Sequence, residues 1–477
     1  MKTAPLWFIR NGEVVHFDHV APDRTLLDLL REDLGSKGTK EGCAQGDCGA
    51  CAVVVSRRQG NEISFHAINS CIRFAHSVQG QAVFTVEGLR KADGTLHPCQ
   101  QAMVDQHGSQ CGFCTPGFIM SLFAMYERHV ANGMPITRET ALHELSGNLC
   151  RCTGYRPIFD AAQTMTNYPP ALIDREALKA QLDDAEKKFS KASTVESAYL
   201  QPDNLQSLLK ALAAHPDALI VAGGTDVGLW VTKQHLKSDQ IIDVSHVQEL
   251  LQIHENNEAI EIGAAVPLSQ AFAVLDSKFP GNSDFFERYG GLLVRESATL
   301  GGNLANGSPI GDSMPLLIAL GGEVTLESSK GARRIAVDSF YTGYRQSKLE
   351  QGEVIRSVSI PLNTHSFFRA LKLSKRHDDD ISIVCLVLGI RLHNGLVQDI
   401  RIGVGGMAAT PMRAAHTEAA LRGKPWNQAA VHAAAQVLEN EFSPISDMRG
   451  SADYRKKAIA GLLQRFWLES QQQHEAA

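Results

Sequence analysis

Near the start of the chain the pattern PLWFIRNGEVVHFD sets two largely apolar runs on either side of Asn11-Gly12. An Asn-Gly pair supplies the positive φ angles of a tight hairpin, so two paired strands are predicted to open the fold. In TLLDLLREDL the spacing becomes helical, with Leu26, Leu30 and Leu34 on one face and Gly35 placed to end the helix. A cysteine-rich loop follows, and CAVVVS after it reads as a strand. These elements predict a small α+β domain over residues 1–88.

From Pro98 the pattern turns helical. Pro98, Pro116 and Pro157 each stand where a helix could begin, because proline in the first turn gives up no needed hydrogen bond. Phe118, Leu122, Met125 and Tyr126 recur at helical spacing, as do Leu142 and Leu145, predicting a helical domain over residues 89–166. Residues 167–193 are charged, lack a sustained apolar face after two prolines, and read as a linker. Strands, helices and glycine turns then alternate over 194–363. A last α+β region, 364–477, contains the apolar run ISIVCLVLGI, read as a buried strand, and ends in a helix around Ala452 to Leu468.

Length and charge narrow the function. A chain of 477 residues, 44% of them hydrophobic, supports several cores and is too large for a simple binding module. Its formal charge of -6 is spread without basic runs, which argues against nucleic acid or an anionic membrane as partner. The apolar stretch before Arg10 is about six residues, short of the roughly 7 to 15 of a signal-peptide core. ISIVCLVLGI is likewise short of the roughly 18 residues of a membrane span, so a cytoplasmic location is expected. Nine of the 10 cysteines fall in the first third and Cys385 stands alone. In a reducing compartment such clustering points to metal or redox chemistry instead of disulfides.

EGCAQGDCGAC, residues 41–51, holds Cys43, Cys48 and Cys51 as C-x4-C-x2-C, with Cys71 further on. This is the plant-type ferredoxin ligand spacing for a 2Fe-2S cluster. Gly42, Gly46 and Gly49 let the backbone curl so that three thiolates converge. Structural zinc sites favour paired C-x2-C units and lack the x4 interval.

A second set comprises Cys111 and Cys114 in QCGFCTPG, with Cys150 and Cys152 in NLCRCTGYRP. Each pair precedes a predicted helix start, whose positive end suits a thiolate cluster. On spacing alone this set fits either zinc or iron-sulfur. CGFCTPGFIMS together with GNLCRCTGYRPI resembles the second 2Fe-2S motif of the molybdenum hydroxylase (xanthine oxidase) family, downstream of the ferredoxin-like motif that family also carries. The resemblance implies a four-helix domain whose 2Fe-2S cluster lies near a molybdenum cofactor. Cys99 and Cys385 fit neither set and read as ordinary buried thiols.

LIVAGGTDVGLW runs an apolar strand into Gly223-Gly224, a turn whose backbone N-H groups could cradle a pyrophosphate. A glycine pair after a strand is more often only a turn, and the pattern is neither a Rossmann nor a Walker fingerprint. SATLGGNLANGSPIGD adds a second glycine pair with polar neighbours. The two loops resemble the flavin-binding domain of the same family, related to vanillyl-alcohol oxidase. That resemblance implies FAD, with Leu219, Ile220, Val221, Ala222, Gly223, Gly224, Thr225, Asp226 and Val227 around its pyrophosphate. It further implies Thr299, Asn303, Asn306 and Asp312 in the dinucleotide site, Tyr289 against the isoalloxazine, Ile355 as an apolar contact and Lys372 near the flavin. The family's usual threonine-alanine is Asn306-Gly307 here. Taken alone, Tyr289 reads as core packing and Lys372 as a surface charge. Lys372, Lys375 and Arg376 followed by Asp378, Asp379 and Asp380 read either as a plain solvated charge run or as a loop that shapes NAD access to the flavin.

The whole chain thus reads as a multidomain α+β protein. The expected order is a ferredoxin-like β-grasp 2Fe-2S domain (1–88), a four-helix 2Fe-2S domain (89–166), a linker (167–193), a vanillyl-alcohol-oxidase-type (PCMH) FAD domain (194–363) and a CO dehydrogenase flavoprotein-like C-terminal domain (364–477). The resemblance implies the iron-sulfur/FAD subunit of a bacterial split-subunit enzyme. Electrons from hypoxanthine or xanthine hydroxylation would pass through the helical-domain cluster, the ferredoxin-like cluster and FAD to NAD. No residue for substrate hydroxylation is expected on this chain. The implied partner is a large molybdopterin-binding subunit, two small with two large chains. An equivalent subunit acting on an aldehyde or another N-heterocycle, or a free-standing iron-sulfur flavoprotein, are the alternatives.

Overall fold

The computed structural model describes residues 2–189, 197–362 and 365–476. The end of the expected linker (190–193), the first residues of the expected FAD domain (194–196) and the boundary at 363–364 lie outside the described residues. The chain divides into two compact units, each assembled from separated segments. One comprises Met1–Pro202, Asp217–His246 and Gly290–Ala298, the other Asp203–Pro216, Val247–Tyr289 and Thr299–Ala477.

The first unit opens with the predicted hairpin, β1 (Ala4–Arg10) and β2 (Glu13–Val20). Asn11 and Gly12 both take positive φ, 51° and 86°, and Arg10 pairs with Glu13 across a two-residue turn. The next helix differs from expectation. Thr25 caps α1 (Leu26–Asp28) by accepting from the Asp28 amide, and the turn then widens to a π-helix over Leu29–Asp33. Leu26, Leu27, Leu29 and Leu30 are buried, while Leu34 is only partly so. β3 (Ala52–Gln59), β4 (Glu62–Asn69) and β5 (Ala82–Phe84) complete a sheet of order β2-β1-β5-β3-β4, in which only β1 and β5 run parallel. The hairpin-helix-hairpin arrangement is a β-grasp.

Four helices follow: α2 (Pro98–Asp105), α3 (Thr115–His129), α4 (Arg138–Glu144) and α5 (Arg156–Thr164). Each of the three prolines lies in a first turn, as its missing amide hydrogen allows. α3 is the centre of this domain: Phe118, Leu122, Met125 and Tyr126 are buried against β3 and β4. Leu145 is buried too, but Leu142 points outward, and Ala141 takes the inward place on α4.

Within the expected linker, Arg175–Phe189 forms a helix, α6. Two leucines one turn apart, Leu178 and Leu182, bury a narrow stripe on the core that already contains Phe118 and Tyr126. So narrow a stripe cannot hold an isolated helix, and the ready-made core makes up the difference. Residues 217–246 and 290–298 also join this unit. They contribute a parallel sheet in which Ile241–Asp243 lies between Tyr199–Leu200 and Leu219–Val221, and a short helix, Leu292–Arg295, against β4.

The second unit holds two larger antiparallel sheets besides a two-stranded one of Tyr341–Gly343 and Gln346–Ser347. In one, Val354–Pro361 lies centrally between Glu323–Ser328 and Ala259–Gly263, with Gly331–Ala336 and Ile253–Glu255 at the edges. In the other, Phe367–Leu373, Val384–His393, Leu396–Gly405 and Met412–Arg413 follow in order. The apolar run is the buried strand expected, with Val384 to Ile390 inside. Helices Ala415–Leu421, Gln428–Glu441 and Ala452–Ala476 pack on that sheet, the last extending beyond the predicted Leu468. Among the described residues no helix is long and apolar enough to cross a membrane.

Candidate functional site

In the ferredoxin-like domain the chain curls so that four sulfurs converge. The Cys43 side chain lies within reach of Cys48 and Cys71, and Cys71 within reach of Cys51. Their protons respond to this crowding: Cys48 and Cys71 hold the Cys43 thiol below its ordinary value, and Cys43 pushes both of them up. The Cys48 amide sits 3.4 Å from Cys43 Sγ, an N-H aimed at sulfur. A Cβ on Gly42 would stand 2.6 Å from Cys48 Sγ, and Gly46 and Gly49 have φ of 77° and 69°. The glycines are therefore required by the curl itself. Asn69 ties the loop to the sheet, donating to the Gly46 carbonyl at 2.8 Å.

The second set is closed across the four-helix domain. Cys114 stands at the N-cap position of α3, next to Cys150, while Cys111 meets Cys152. Burial, followed by Cys150, pushes the Cys114 thiol up to about 12. The Thr153 hydroxyl lies 3.2 Å from Cys150 Sγ, and the Cys150 amide donates to the Tyr155 hydroxyl at 3.0 Å. Cys111 and Cys152 are exposed, so one edge of this set faces outward. Among the described residues no group of His, Cys, Asp or Glu is arranged around a single metal ion. What the fold supplies is sulfurs in close pairs with glycine and amide lining, a donor set whose chemistry fits a two-iron cluster. Cys99 and Cys385 are fully buried, and burial raises both thiols well above their ordinary values, as expected of inert core cysteines.

The two cysteine loops touch. Leu149 N-H donates to the Cys48 carbonyl at 3.0 Å, and Asn148 Nδ2 to the Gly49 carbonyl at 3.2 Å. A Cβ on Gly117 would overlap Gly49, and one on Gly49 would overlap Gly147. Gly147 meets Gly291 in turn, and Leu292 N-H donates to the Ser146 carbonyl at 3.1 Å. Gly117, Ser121 and Asn148 lie inside the two quoted cysteine motifs, but the sequence alone does not show that they meet one another and Gly49.

The first glycine loop also lies in this unit. Leu219, Ile220 and Val221 form the strand, Ala222, Gly223, Gly224, Thr225 and Asp226 the turn, and Val227 starts a helix. Gly224 has φ 74°, and a Cβ there would come 2.9 Å from the Ile72 carbonyl oxygen. Gly223 presses on the Ser297 carbonyl in the same way and accepts from Arg73 at 3.3 Å. Tight backbone packing beside Cys71 thus demands these glycines. Among the described residues no protein acceptor takes the amides of Gly223, Gly224 and Thr225.

In the second unit Thr299 caps Leu300–Asn306, accepting from the Gly302 amide at 3.0 Å. Asn303 accepts from Ser313, and Asn306 closes that helix before Gly307. Asp312 is buried with Lys372 at 3.2 Å and Ser382 at 2.8 Å. Lys372 is therefore no surface charge: its ammonium also donates to the Arg288 carbonyl at 2.8 Å, and its register partner is Cys385. Tyr289 is half-buried, edge-on to Phe272 at 5.1 Å. Ile355 lies buried in the five-stranded sheet opposite Leu326, inside the core. The 376–380 loop is held to Arg288, which donates to the His377 carbonyl at 2.8 Å.

Four protein families match the chain in sequence order. They are the 2Fe-2S iron-sulfur cluster binding domain over residues 8–75, the 2Fe-2S binding domain over 85–163, the FAD binding domain in molybdopterin dehydrogenase over 189–363 and the CO dehydrogenase flavoprotein C-terminal domain over 369–470. Xanthine dehydrogenase of Drosophila pseudoobscura pseudoobscura is 32% identical over 98% of this chain, and xanthine dehydrogenase/oxidase of Rattus norvegicus 31% over 98%. The chain spans 39% of the length of each of these two relatives. Carbon monoxide dehydrogenase from Hydrogenophaga pseudoflava matches with a TM-score of 0.53 at 27% identity, over 56% of this chain and 94% of that one. Quinoline 2-oxidoreductase from Pseudomonas putida 86 also scores 0.53, at 26% identity, over 58% and 96%. The chain thus carries, in order, two 2Fe-2S domains, an FAD binding domain of the kind found in molybdopterin dehydrogenase and a CO dehydrogenase flavoprotein C-terminal domain, the domain set of the molybdenum hydroxylases that it resembles.

Proposed function

We propose that the chain is the electron-transfer subunit of a xanthine dehydrogenase, carrying electrons from hypoxanthine or xanthine hydroxylation on a molybdopterin-binding partner to NAD. The observation that carries this reading is the direct contact of the two cysteine loops through Leu149 and Cys48, in a chain aligned over 98% of its length with a xanthine dehydrogenase. Bound 2Fe-2S clusters and FAD supply one-electron and hydride chemistry respectively. The protein's residues position and insulate them. Cys43, Cys48, Cys51 and Cys71 would hold one cluster, and Cys111, Cys114, Cys150 and Cys152 the other. The free amides of the 223–225 turn would bind the FAD pyrophosphate, with Thr299, Asn303, Asn306 and Asp312 completing the dinucleotide site. Lys372, neutralised by Asp312, would set a fixed positive charge near the flavin beside Tyr289 and Ile355. Nothing in this reading requires a general base for purine on this chain. Cytoplasmic location, two small with two large chains and the domain boundaries of the sequence analysis belong to the same proposal.

Carbon monoxide dehydrogenase and quinoline 2-oxidoreductase structures match equally well by TM-score, so the partner's pocket would decide the substrate. The test is co-purification of the chain from its own cells, with iron, flavin and molybdenum counted on one sample and xanthine-dependent NAD reduction assayed. Iron for two clusters, FAD and a molybdenum-bearing partner with xanthine turnover support the proposal. A partner that turns over only another heterocycle or an aldehyde replaces the substrate, and a chain free of flavin overturns the reading.

A further inference from the structure

The loop carrying Cys48 and the loop carrying Cys150 meet through two hydrogen bonds to adjacent carbonyls. Leu149 N-H reaches the Cys48 carbonyl at 3.0 Å, and the Asn148 side chain reaches the Gly49 carbonyl at 3.2 Å. Asn148 is buried; the Gly49 carbonyl, which can only accept, requires Nδ2 to face it, and Oδ1 then accepts from the buried Ser121 hydroxyl at 2.6 Å. Ser121 stands on α3, one turn beyond Gly117, whose missing Cβ lets the helix press on the Gly49 carbonyl. A buried amide with both ends satisfied is rigid. The result is a route from Cys48 Sγ through its backbone carbonyl, across one hydrogen bond to the Leu149 amide, and on through covalent bonds to Cys150 Sγ.

We propose that Asn148 is a positioning residue for electron transfer between the two clusters, clamping Gly49 so that the Cys48-Leu149 hydrogen bond stays short. The inference rests on the electron-transfer reading above. With clusters bound, one electron would cross from a reduced iron-sulfur group held by Cys111, Cys114, Cys150 and Cys152 to an oxidised one held by Cys43, Cys48, Cys51 and Cys71. No bond breaks and no proton moves. Electronic coupling decays faster across a gap than along bonds, so a lengthened bridge weakens it even when both clusters stay in place. Asn148 touches neither set of sulfurs and acts through the backbone of the residues beside them.

The experiment uses the full chain with its cofactors and the variant Asn148→Asp, which keeps the acceptor for Ser121 but loses the donor to Gly49. Iron content and visible absorption establish that both clusters are present. The readouts are the magnetic splitting between the two reduced clusters in low-temperature EPR and the rate at which an electron equilibrates between them after photoreduction. The expected result is loss of the exchange part of the splitting and slower equilibration, with each cluster's own g-values retained. Unchanged splitting and rate with both clusters present overturn the clamp and leave the proposed function standing. Where Asn148→Asp loses a cluster, Ser121→Ala decides, since it frees the Asn148 amide without entering either loop: a smaller effect in the same direction supports the clamp, and none overturns it. A single iron-sulfur signal from the unsubstituted chain sinks the proposed function and the clamp together.

Discussion

Glu296 Oε2 lies 2.8 Å from His66 Nδ1 and 3.1 Å from the Arg57 guanidinium, so a carboxylate from the returning segment Gly290–Ala298 is buried against strands β3 and β4 of the ferredoxin-like sheet. Burial alone would raise this carboxyl, but His66 and Arg57 hold it well below the usual range, and it accepts from both. Burial and the neighbouring Arg57 lower His66, whose neutral ring donates to the carboxylate, so removing Glu296 strands the Arg57 guanidinium, at a cost of about 3–5 kcal/mol. Glu296→Ala is therefore expected to lower the stability of the iron-sulfur unit by about that amount, read from the urea midpoint, with Glu296→Gln losing less. A depressed carboxyl contributes stability above its unfolded value and loses it as pH falls, so the difference between wild type and Glu296→Gln should shrink below about pH 4.

Two histidines of the same unit give a second pH signature. Burial lowers His76 and His97 from 6.5 to about 4. His97 Nδ1 accepts from the Cys99 amide at 3.2 Å while Nε2 lies 3.0 Å from the Ala171 carbonyl, so only the neutral ring can cap α2. The unfolded chain binds these protons first, so stability is intact above about pH 6.5 and falls as pH drops toward 4, by roughly 3 kcal/mol per histidine. His97→Gln should flatten that part of the stability-pH curve measured by urea titration. A curve of unchanged slope would refute the assignment.

Gly117 lies within α3, where replacement by alanine ordinarily stabilises a helix by roughly 0.5–1 kcal/mol. Here the new Cβ would overlap the Gly49 carbonyl. Gly117→Ala is expected to lower the melting temperature and to bleach the iron-sulfur absorption, against the sign that helix propensity gives.

The buried Lys372-Asp312 pair predicts non-additivity in the flavoprotein unit. Lys372→Met leaves Asp312 buried with Ser382, and Asp312→Asn leaves the ammonium without its counter-charge. Each single variant should cost about 3–5 kcal/mol, and the double variant less than the sum, because no unpaired charge remains. A thermal-unfolding cycle measures this coupling. Flavin content measured alongside should fall in all three variants, and full retention would count against a role for this pair at the flavin.

Cysteine substitution should separate ligands from bystanders. Cys114→Ser is expected to remove the iron-sulfur signal of one cluster, while Cys99→Ser and Cys385→Ser keep the full iron content, counted by chelation after acid release.

Much of this protein is local and therefore legible in its sequence. C-x4-C-x2-C folds within one loop, Asn11-Gly12 makes its own turn, and each of the three prolines starts its own helix, so nearest neighbours suffice to read them. The contacts that join these pieces are not local. Asn148 finds Gly49 across 99 positions and His66 finds Glu296 across 230, and no spacing or periodicity links such partners. Lys372 looks like part of a solvated charge run until the sheet carries it inward to Asp312. α6 looks like a charged linker until a ready core accepts its two leucines. Sequence determined which residues are chemically able to hold iron and phosphate. Only the tertiary structure decided which buried polar groups satisfy one another, because a desolvated amide or charge is tolerable only where a partner, however distant along the chain, is delivered to it.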